Sequence, residues 1–423
     1  MRYRELRLIR VAIACMLVLD VGAVAHHRVP AMASARIAAS VLPYLPGSEV
    51  ALQIDGIDRP YSLDVVGPGS IAGSALRISE LPDAGSATVV AAGGNALAMH
   101  RFRIAAPPDA SRAFVAVAAY DDGVVLHDAT APFAATAVLG IGGAPTDVAL
   151  DIDGRIAAGN TSGDTLTLAQ MNPWRVRTVA GVTLADEAAF DSSSHALFVT
   201  DRDVSGSGAL TRILPDGSVT RRVLGLTSEG LAIDEQRHRV YVANTNDGTV
   251  SVVDANTMSE IRRFHAIDRA FSVALSDDAT RLFVVSNQSV TSLFAAAGRV
   301  VTFDVSGDVP HAIARSAALA FPVGAAVDGS RGALFVTDER DDDIYVLNQR
   351  TLRAEHAALK TCRTPWKPTV DLSAHRLYVP CAQADRIDVI DTRTLRRLRG
   401  APFATGGYPL AVAVWHPGRR VVP

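Results

Sequence analysis

Short apolar runs alternate with polar turns along most of the chain, and one such phrase recurs. Residues 239–244 read Arg-Val-Tyr-Val-Ala-Asn and, after an Asp-Gly turn, residues 249–254 read Thr-Val-Ser-Val-Val-Asp. Alternation with a period of two predicts half-buried β-strands rather than helices. The phrase, a small or basic residue followed by apolar residues around an aromatic one, begins near Ala113, Arg155, Ala196, Arg239, Arg281, Ala333 and Arg376.

These copies are spaced by 41 to 43 residues, except for one interval of 52 that contains an insertion around 289–298. Each of the later copies follows a segment of small apolar residues that ends in a turn residue, as in Glu-Gly-Leu-Ala-Ile-Asp at 229–234. Small strands suit the crowded wall of a central channel, and a repeat of this length is typical of four-stranded propeller blades. The sequence therefore predicts an all-β fold, a seven-bladed β-propeller over residues 107–423. The Asp that ends a wall segment is expected to be a turn residue that bonds its own backbone.

The two ends of the repeat region are incomplete in complementary ways. Residues 408–415 read as a wall strand with no phrase after it, whereas the phrase near Ala113 has no wall strand before it. We expect the last strand to complete the first blade, because such closure removes the open sheet edges that invite aggregation.

The repeat carries a family resemblance. Val-Tyr-Val-Ala-Asn at 240–244 and Leu-Tyr-Val-Pro-Cys at 377–381 resemble the YVTN β-propeller repeat of YncE-type bacterial periplasmic proteins and archaeal surface-layer proteins. The resemblance extends over about 300 residues and is weakest in the second and fifth blades. It implies an extracytoplasmic propeller with a binding role, and it brings no general catalytic signature.

Two segments precede the repeats. Residues 48–106 contain short alternating runs separated by Gly-, Pro- and Asp-rich turns, which predicts a small all-β, immunoglobulin-like module packed on the propeller. Residues 26–47 are predicted to be a linker.

The first 25 residues have the pattern of a secretory signal peptide. Four arginines precede an apolar run over 11–25, and Ala-Val-Ala at 23–25 offers a cleavage site. Cleavage after Ala33 is an alternative, and an uncleaved anchor is another, although the run is short for a bilayer and contains Asp20. The sequence thus predicts a periplasmic or secreted protein with no membrane span after cleavage.

The net charge bears on the class of partner, and the cysteine content bears on disulfide formation. The formal charge is −3, and removing residues 1–25 (four Arg, one Glu, one Asp) makes it −5, so a nucleic-acid partner is disfavoured. We expect a monomer.

Cys362 and Cys381 flank adjacent loops and remain after cleavage. A disulfide between them is predicted, with two free thiols as the alternative.

The loops that lead into the wall strands and those that follow the second strands share one face. The mouth of the channel on this face is the default ligand site of a propeller. The sequence favours a binding protein over an enzyme, with a protein, glycan or small molecule as its ligand. The candidate ligand-binding residues are Asp147, Asp186, Glu187, Glu229, Asp201, Asn244, Asn287, Asp338, Trp366 and Lys367.

An alternative interpretation is a metal-dependent hydrolase of the lactonase kind at the same mouth. Lactonase-type propellers hold a metal with Glu, Asn and Asp from several blades, and such oxygen ligands suit Ca²⁺ or another divalent cation. No other cofactor is predicted. The metal ligands of this alternative would be Glu187, Glu229, Asn244, Asn287 and Asp338.

Overall fold

The computed structural model describes residues 35–82, 84–94, 96–287 and 298–418. The predicted signal peptide, both of its cleavage sites and nearly all of the predicted insertion lie outside these residues. The described part of the chain is built of β-strands, with one three-residue 3-10 helix at Ala382–Ala384. Within it, no helix has the length and apolarity needed to span a bilayer.

The N-terminal part contains eight short strands in three small antiparallel sheets. Strand β1 pairs with β3, β6 lies between β2 and β5, and β7 lies between β4 and β8. Their bounds are β1 Arg36–Ala38, β2 Glu49–Ala51, β3 Gln53–Asp55, β4 Ser62–Val66, β5 Gly69–Ala72, β6 Ala75–Ile78, β7 Ser86–Gly93 and β8 Ala96–Arg103.

The range predicted to be a linker, 26–47, differs from that expectation from residue 35 onward. Arg36–Ala38 forms β1, and Tyr44 is 4% exposed with its ring 6.0 Å from that of Phe102. The Leu45 amide donates to the Val138 carbonyl at 2.8 Å. Apolar side chains in this segment supply anchors that its position after the predicted signal peptide did not suggest, so it packs both on the N-terminal sheets, at Phe102, and on the strand that contains Val138.

Seven further sheets follow, counted over the described residues and named sheets 1 to 7 in chain order. Sheet 1 contains β9 Phe114–Ala119, β10 Gly123–Asp128 and β11 Ala135–Leu139; sheet 2, β12 Val148–Leu150, β13 Ile156–Asn160, β14 Thr165–Met171 and β15 Trp174–Ala180; sheet 3, β16 Ala188–Phe190, β17 Leu197–Arg202, β18 Ser207–Ile213 and β19 Val219–Leu226; sheet 4, β20 Ser228–Asp234, β21 Arg239–Asn244, β22 Thr249–Asp254 and β23 Glu260–His265. Sheet 5 contains β24 Ala270–Leu275, β25 Arg281–Ser286, β26 Arg299–Asp304 and β27 His311–Arg315; sheet 6, β28 Pro322–Asp328, β29 Ala333–Asp338, β30 Asp343–Asn348 and β31 Leu359–Lys360; sheet 7, β32 Thr369–Asp371, β33 Arg376–Cys381, β34 Arg386–Asp391, β35 Arg396–Arg397 and β36 Phe403–Ala404, of which β35 and β36 both pair with β34.

The last strand, β37 (Pro409–Trp415), pairs antiparallel with β9 and is the fourth strand of sheet 1. Its register places Trp415 opposite Phe114 and Val412 opposite Val117. The prediction that the end of the repeat region completes the first sheet is confirmed. The first strands of successive sheets also contact one another, and β37 contacts those of both sheet 2 and sheet 7. The sheets therefore follow one another around a ring, which is a propeller-like arrangement.

The core of the ring lies between neighbouring sheets. The aromatic residues of the second strands are almost completely excluded from water, and burying each contributes about 1.5–3 kcal/mol. They are Phe198, Tyr241, Phe283, Phe335 and Tyr378.

An aspartate ends or directly follows the first strand in sheets 2, 3, 4, 6 and 7, and in sheets 2, 3, 4 and 7 its carboxylate accepts from the backbone of the next turn, as predicted. The Asp234 carboxylate accepts hydrogen bonds from the Gln236 and Arg237 amides at 3.1 and 3.0 Å. Asp371 accepts from the Ser373 amide at 3.0 Å in the same way. These side chains close the turn into the second strand, which confirms the interpretation as turn residues.

Candidate functional site

The residues that lead into the first strands come together at one end of the ring. When sheets 2, 3 and 7 are aligned by the pairing of their first and second strands, a charged residue occupies the same position at the start of each first strand. These three residues are Asp147, Glu187 and Lys367. The other four sheets carry a small residue there: Gly230, Ser272, Gly324 and Ala411. The end of the ring with the three charged residues is called the channel mouth below.

Two carboxylates of the channel mouth link neighbouring sheets. Oδ2 of Asp147 accepts a hydrogen bond from the Ala188 amide at 2.9 Å. Oε2 of Glu187 accepts from the Leu231 amide at 2.9 Å. Each acceptor reaches the first strand of the next sheet and satisfies a donor that the ladder within that sheet leaves open. These two side chains therefore stabilise the junctions between sheets as well as charging the channel mouth.

Lys367 extends across the mouth from sheet 7 toward sheet 3, which is not its neighbour in the ring. Its Nζ lies 3.8 Å from Oε2 of Glu187. This nitrogen is almost completely excluded from water and has no hydrogen-bond partner in the described part of the chain. Burial alone would lower the pKa of Lys367, but the nearby carboxylates of Glu187, Asp186, Asp147 and Glu229 raise it. The ammonium is thus held in its charged form by carboxylates alone.

Glu229 is the least exposed of the four carboxylates around Lys367, with 3% of its surface exposed. Nη1 of Arg202 donates to its Oε1 at 3.1 Å, and the Thr245 hydroxyl donates to its Oε2. Burial raises the pKa of Glu229 to about 7, Asp186 adds to the rise, and Arg202 opposes it. Thr245 was not identified from the sequence, because a threonine at the end of a strand has no charge or spacing to mark it.

Other carboxyl groups of the mouth also hold protons more tightly than usual. Burial raises the pKa of Glu187 to about 8 and that of Asp147 to about 6, although Lys367 opposes both shifts. The physical cause is that removing a carboxylate from water penalises its charged form. Near neutral pH these groups can therefore both donate and accept hydrogen bonds.

Aromatic side chains lie beside the charged residues of the channel mouth. The ring of Trp366 meets that of Phe271 from sheet 5 nearly at right angles, with centroids 6.3 Å apart. Tyr120 and Tyr408 form a similar pair, also 6.3 Å apart. Glu339 lies near Tyr408, and burial raises the pKa of Glu339 to about 7. The mouth thus combines aromatic rings with groups that exchange protons.

Three of the predicted site residues bond within the body of the sheets. Asp201 accepts hydrogen bonds from Thr211 and from Nε of Arg221, at 2.7 Å for the latter, on the third and fourth strands of its own sheet. Asn244 is bonded at both ends of its amide, with its Oδ1 accepting from the Ser228 hydroxyl at 2.9 Å.

Asp338 likewise serves the backbone, since its carboxylate accepts hydrogen bonds from the Phe321, Arg340 and Asp341 amides. Asn287 differs, because its Oδ1 accepts from Nε of Arg269 at 3.1 Å, and Arg269 also lies near Glu229.

Three of the five residues predicted to bind a metal in the hydrolase alternative form other interactions. The oxygens of Asn244 and Asp338 accept hydrogen bonds from neighbouring backbone amides, and Glu229 forms an ion pair with Arg202. Among the described His, Cys, Asp and Glu residues, two groups of three bring ligand atoms within 4.8 Å of one another. They are Cys362, Cys381 and Asp388, and Asp151, Asp153 and His195; neither contains a residue of the predicted set.

Cys362 and Cys381 form a disulfide, as predicted, across 19 residues of sequence. The loop that it closes contains Trp366 and Lys367. An isolated bridge between Pro365 and Cys381 holds the same loop against sheet 7. The disulfide thereby anchors the segment that carries both residues into the mouth.

Comparisons with known proteins agree with this architecture. No family model matches the chain. It is 28% identical over 101 residues to the uncharacterized protein YncE of Salmonella typhimurium, a match that covers 24% of this chain and 28% of that protein. The chain thus matches less than a third of the length of this relative.

Solved structures are similar over much more of the chain. The β-propeller domain of Cps50 (Swd1) from Myceliophteria thermophila has a TM-score of 0.55 at 13% identity, and the match covers 66% of this chain and 93% of that one. A proposed 6-phosphogluconolactonase of Bacteroides fragilis has a TM-score of 0.59 at 11% identity, covering 72% and 98%. At such low identity the likeness shows the fold alone, and that fold is a β-propeller.

Proposed function

We propose that this chain is an exported protein that binds a hydroxyl-rich ligand, such as a glycan, at the channel mouth. In this proposal sheets 1 to 7 are the seven blades of one closed propeller of the YVTN-repeat kind, and residues 48–106 form an immunoglobulin-like module beside it. Residues 1–25 act as a signal peptide, and the mature protein is periplasmic or secreted.

The observation that carries the binding role is the environment of Lys367. Its Nζ is buried and forms an ion pair with Oε2 of Glu187 at 3.8 Å, but it has no hydrogen-bond acceptor among the described residues. A buried donor without an acceptor costs about 1–3 kcal/mol, and more when it is charged. A ligand atom that accepts from Nζ would remove this penalty, so the mouth gains stability when it is filled.

Hydroxyl groups fit the chemistry of the mouth better than a second charge. Each hydroxyl can accept a hydrogen bond from Lys367 and donate one to Glu187 or Asp147. The ring of Trp366, which is partly exposed and is held by buried Phe271, offers an apolar contact for the face of a sugar ring. An anionic ligand would instead meet the four carboxylates that surround Lys367.

Calorimetric titration of the mature protein with neutral soluble oligosaccharides (maltose, cellobiose and chitobiose series) tests the ligand class. Lys367→Met should weaken binding of the active sugar at least tenfold. The matched control is Lys360→Met, because Lys360 is the other lysine of the sequence and its side chain is 77% exposed. If none of the sugars binds, or if Lys367→Met leaves the affinity unchanged, the channel mouth is not a glycan site.

Export has its own test. Expression of the full chain in a bacterium should yield a periplasmic protein whose N-terminal residue is His26 or, for the alternative cleavage site, Ser34. Intact mass measurement distinguishes the two products. A chain that keeps Met1 and stays with the membrane fraction would instead support an uncleaved anchor.

A further inference from the structure

The channel mouth is divided into a polar half and an apolar half. The division is set by the residue immediately before each aligned first-strand position, which in sheets 1, 4, 5 and 6 lies in a register shift that redirects its side chain. This residue is polar in sheets 2, 3 and 4 and apolar in sheets 5, 6, 7 and 1, so each kind occupies consecutive sheets of the ring. The polar residues are Thr146, Asp186 and Glu229, and the apolar residues are Phe271, Val323, Trp366 and Leu410.

Side chains of both halves extend toward the centre of the ring. The rings of Phe271 from sheet 5 and Trp366 from sheet 7 have centroids 6.3 Å apart, although sheet 6 lies between their strands in the ring. Glu229 of sheet 4 likewise acts electrostatically on Lys367 of sheet 7. The two halves therefore face each other inside the mouth.

Two half-buried aromatic rings make the apolar half accessible to a ligand. Trp366 and Tyr120 each keep part of their surface in water, and each packs against the buried cluster of Ala382, Tyr408 and Leu410. Tyr120 belongs to sheet 1, where its amide donates to the Tyr408 carbonyl at 3.1 Å. The two rings thus border one apolar surface that extends from sheet 7 to sheet 1.

The polar half is accessible through half-buried carboxylates. Asp147, Asp186 and Glu187 are each partly exposed, and Nζ of Lys367 lies 3.8 Å from Oε2 of Glu187. Lys367 follows Trp366 in the chain, so its stem borders the apolar half while its charged end lies in the polar half. A bare sugar would bond to Lys367 and the carboxylates but would leave the ring of Tyr120 in water. An apolar group attached to the sugar would cover that ring as well.

We propose that the ligand of the channel mouth is an amphipathic glycoside, with its sugar between Lys367 and sheets 2 and 3 and its apolar substituent over Trp366 and Tyr120. This inference rests on the proposed glycan-binding role and narrows it to sugars that carry an apolar group.

The test compares glycosides that differ only in the length of an alkyl chain. Methyl, butyl and hexyl β-glucosides, β-galactosides and N-acetyl-β-glucosaminides would be titrated calorimetrically into the mature protein, below the concentrations at which they form micelles. Removing one methylene from water strengthens binding about fourfold. The hexyl glycoside should therefore bind about tenfold or more tightly than the methyl glycoside, even when much of its chain stays in water.

Substitutions at Tyr120 separate the apolar contact from the sugar contact. Tyr120→Ser should reduce the ratio of hexyl to methyl affinity to about threefold or less, whereas Tyr120→Trp should keep it near tenfold. The conservative variant distinguishes loss of the contact from loss of the fold. Phe321→Ser is the matched control and should leave the ratio unchanged, because Phe321 is also half-buried and its amide donates to Asp338 in sheet 6, outside the cluster of Trp366 and Tyr120.

Lys367→Met distinguishes failure of this inference from failure of the proposed function. It should weaken methyl and hexyl glycosides by a similar factor, because both contain the same sugar. A methyl glycoside that depends on Lys367 but gains nothing from the longer chain would overturn the inference and leave the glycan site intact. A gain that persists in Tyr120→Ser would also overturn it. Hexyl binding that Lys367→Met does not weaken, or no binding of any of these glycosides at millimolar concentrations, would overturn both.

Discussion

Replacing Lys367 by methionine is the most direct test of the charged mouth. The substitution keeps the length of the side chain and removes the one ammonium that faces Glu187, Asp186, Asp147 and Glu229. Breaking a buried ion pair by removing one partner typically costs about 3–5 kcal/mol. The separation of 3.8 Å, without a hydrogen bond, places Lys367 at the lower end. We therefore expect a loss of about 3 kcal/mol at pH 8.5.

The stability lost in the Lys367→Met variant should increase with pH, because the pKa values of the neighbouring carboxyl groups lie between about 6 and about 8. Burial raises the pKa of Asp147 to about 6 and that of Glu187 to about 8 in the folded protein. Each ionisation adds a negative charge that Lys367 compensates and methionine does not. The difference in the free energy of unfolding between wild type and Lys367→Met should be small below pH 6, grow between pH 6 and 8, and be largest above pH 8.

Thermal melting of both proteins at pH 5.5 and 8.5 measures this difference. At roughly 2 °C per kcal/mol for a chain of this size, 3 kcal/mol corresponds to about 6 °C at pH 8.5. Adding Glu187→Gln to Lys367→Met should recover part of the loss, because it removes an uncompensated charge. Lys360→Met removes the ion pair of an exposed lysine with Asp343, worth about 1 kcal/mol or less, so it should shift the melting temperature by about 2 °C or less. Equal melting of wild type and Lys367→Met at pH 8.5 would refute the reasoning, as would a double variant no more stable than the single one.

Three further outcomes are expected. Burial raises the pKa of Glu339 to about 7, so this carboxyl group binds a proton more tightly in the folded protein than in the unfolded chain. The stability gained from this proton is present at low pH and is lost as the pH rises through about 7. Glu339→Gln should therefore flatten the fall in melting temperature between pH 5.5 and 8. Reducing the bond between Cys362 and Cys381 should cost about 3 kcal/mol, seen as a lower melting point in dithiothreitol that a Cys362→Ala/Cys381→Ala variant does not show. Deleting residues 405–423 removes the fourth strand of sheet 1, and we expect an aggregated product by size-exclusion chromatography, whereas a folded monomer with native circular dichroism would contradict the closure.

Much of the architecture could be predicted because the same strand pattern recurs along the sequence. The return of an aromatic phrase about every 42 residues marked the second strands, and the unmatched wall strand at 408–415 predicted the pairing of β37 with β9. The proximity of Cys362 and Cys381 followed from the loops that the repeat assigns to them. The strand at Arg36–Ala38 was missed because a three-residue strand carries too little periodicity to be distinguished from a linker.

The candidate site was harder to predict because it depends on the direction of side chains at the ends of strands. Successive residues of a strand point to opposite faces, so an error of one position reverses the direction. Asp201 points into its own sheet toward Arg221, whereas the next residue, Arg202, reaches Glu229. Asn244 and Thr245 show the same contrast, with Thr245 bonded to Glu229. Composition and spacing do not settle such choices, since both members of each pair are polar.

The completion of sheet 1 by β37 also bears on how the chain folds. The pair formed by Phe114 and Trp415 joins residues 301 positions apart (415 − 114), whereas the other strands of sheet 1 are joined by short turns. Closing so long a loop is entropically costly and slow compared with forming hairpins. Until that contact forms, the inner edge of β9 has no partner strand. We expect this pairing to be a late and rate-limiting step of folding, and a chaperone that shields the free edge of β9 would act during that interval.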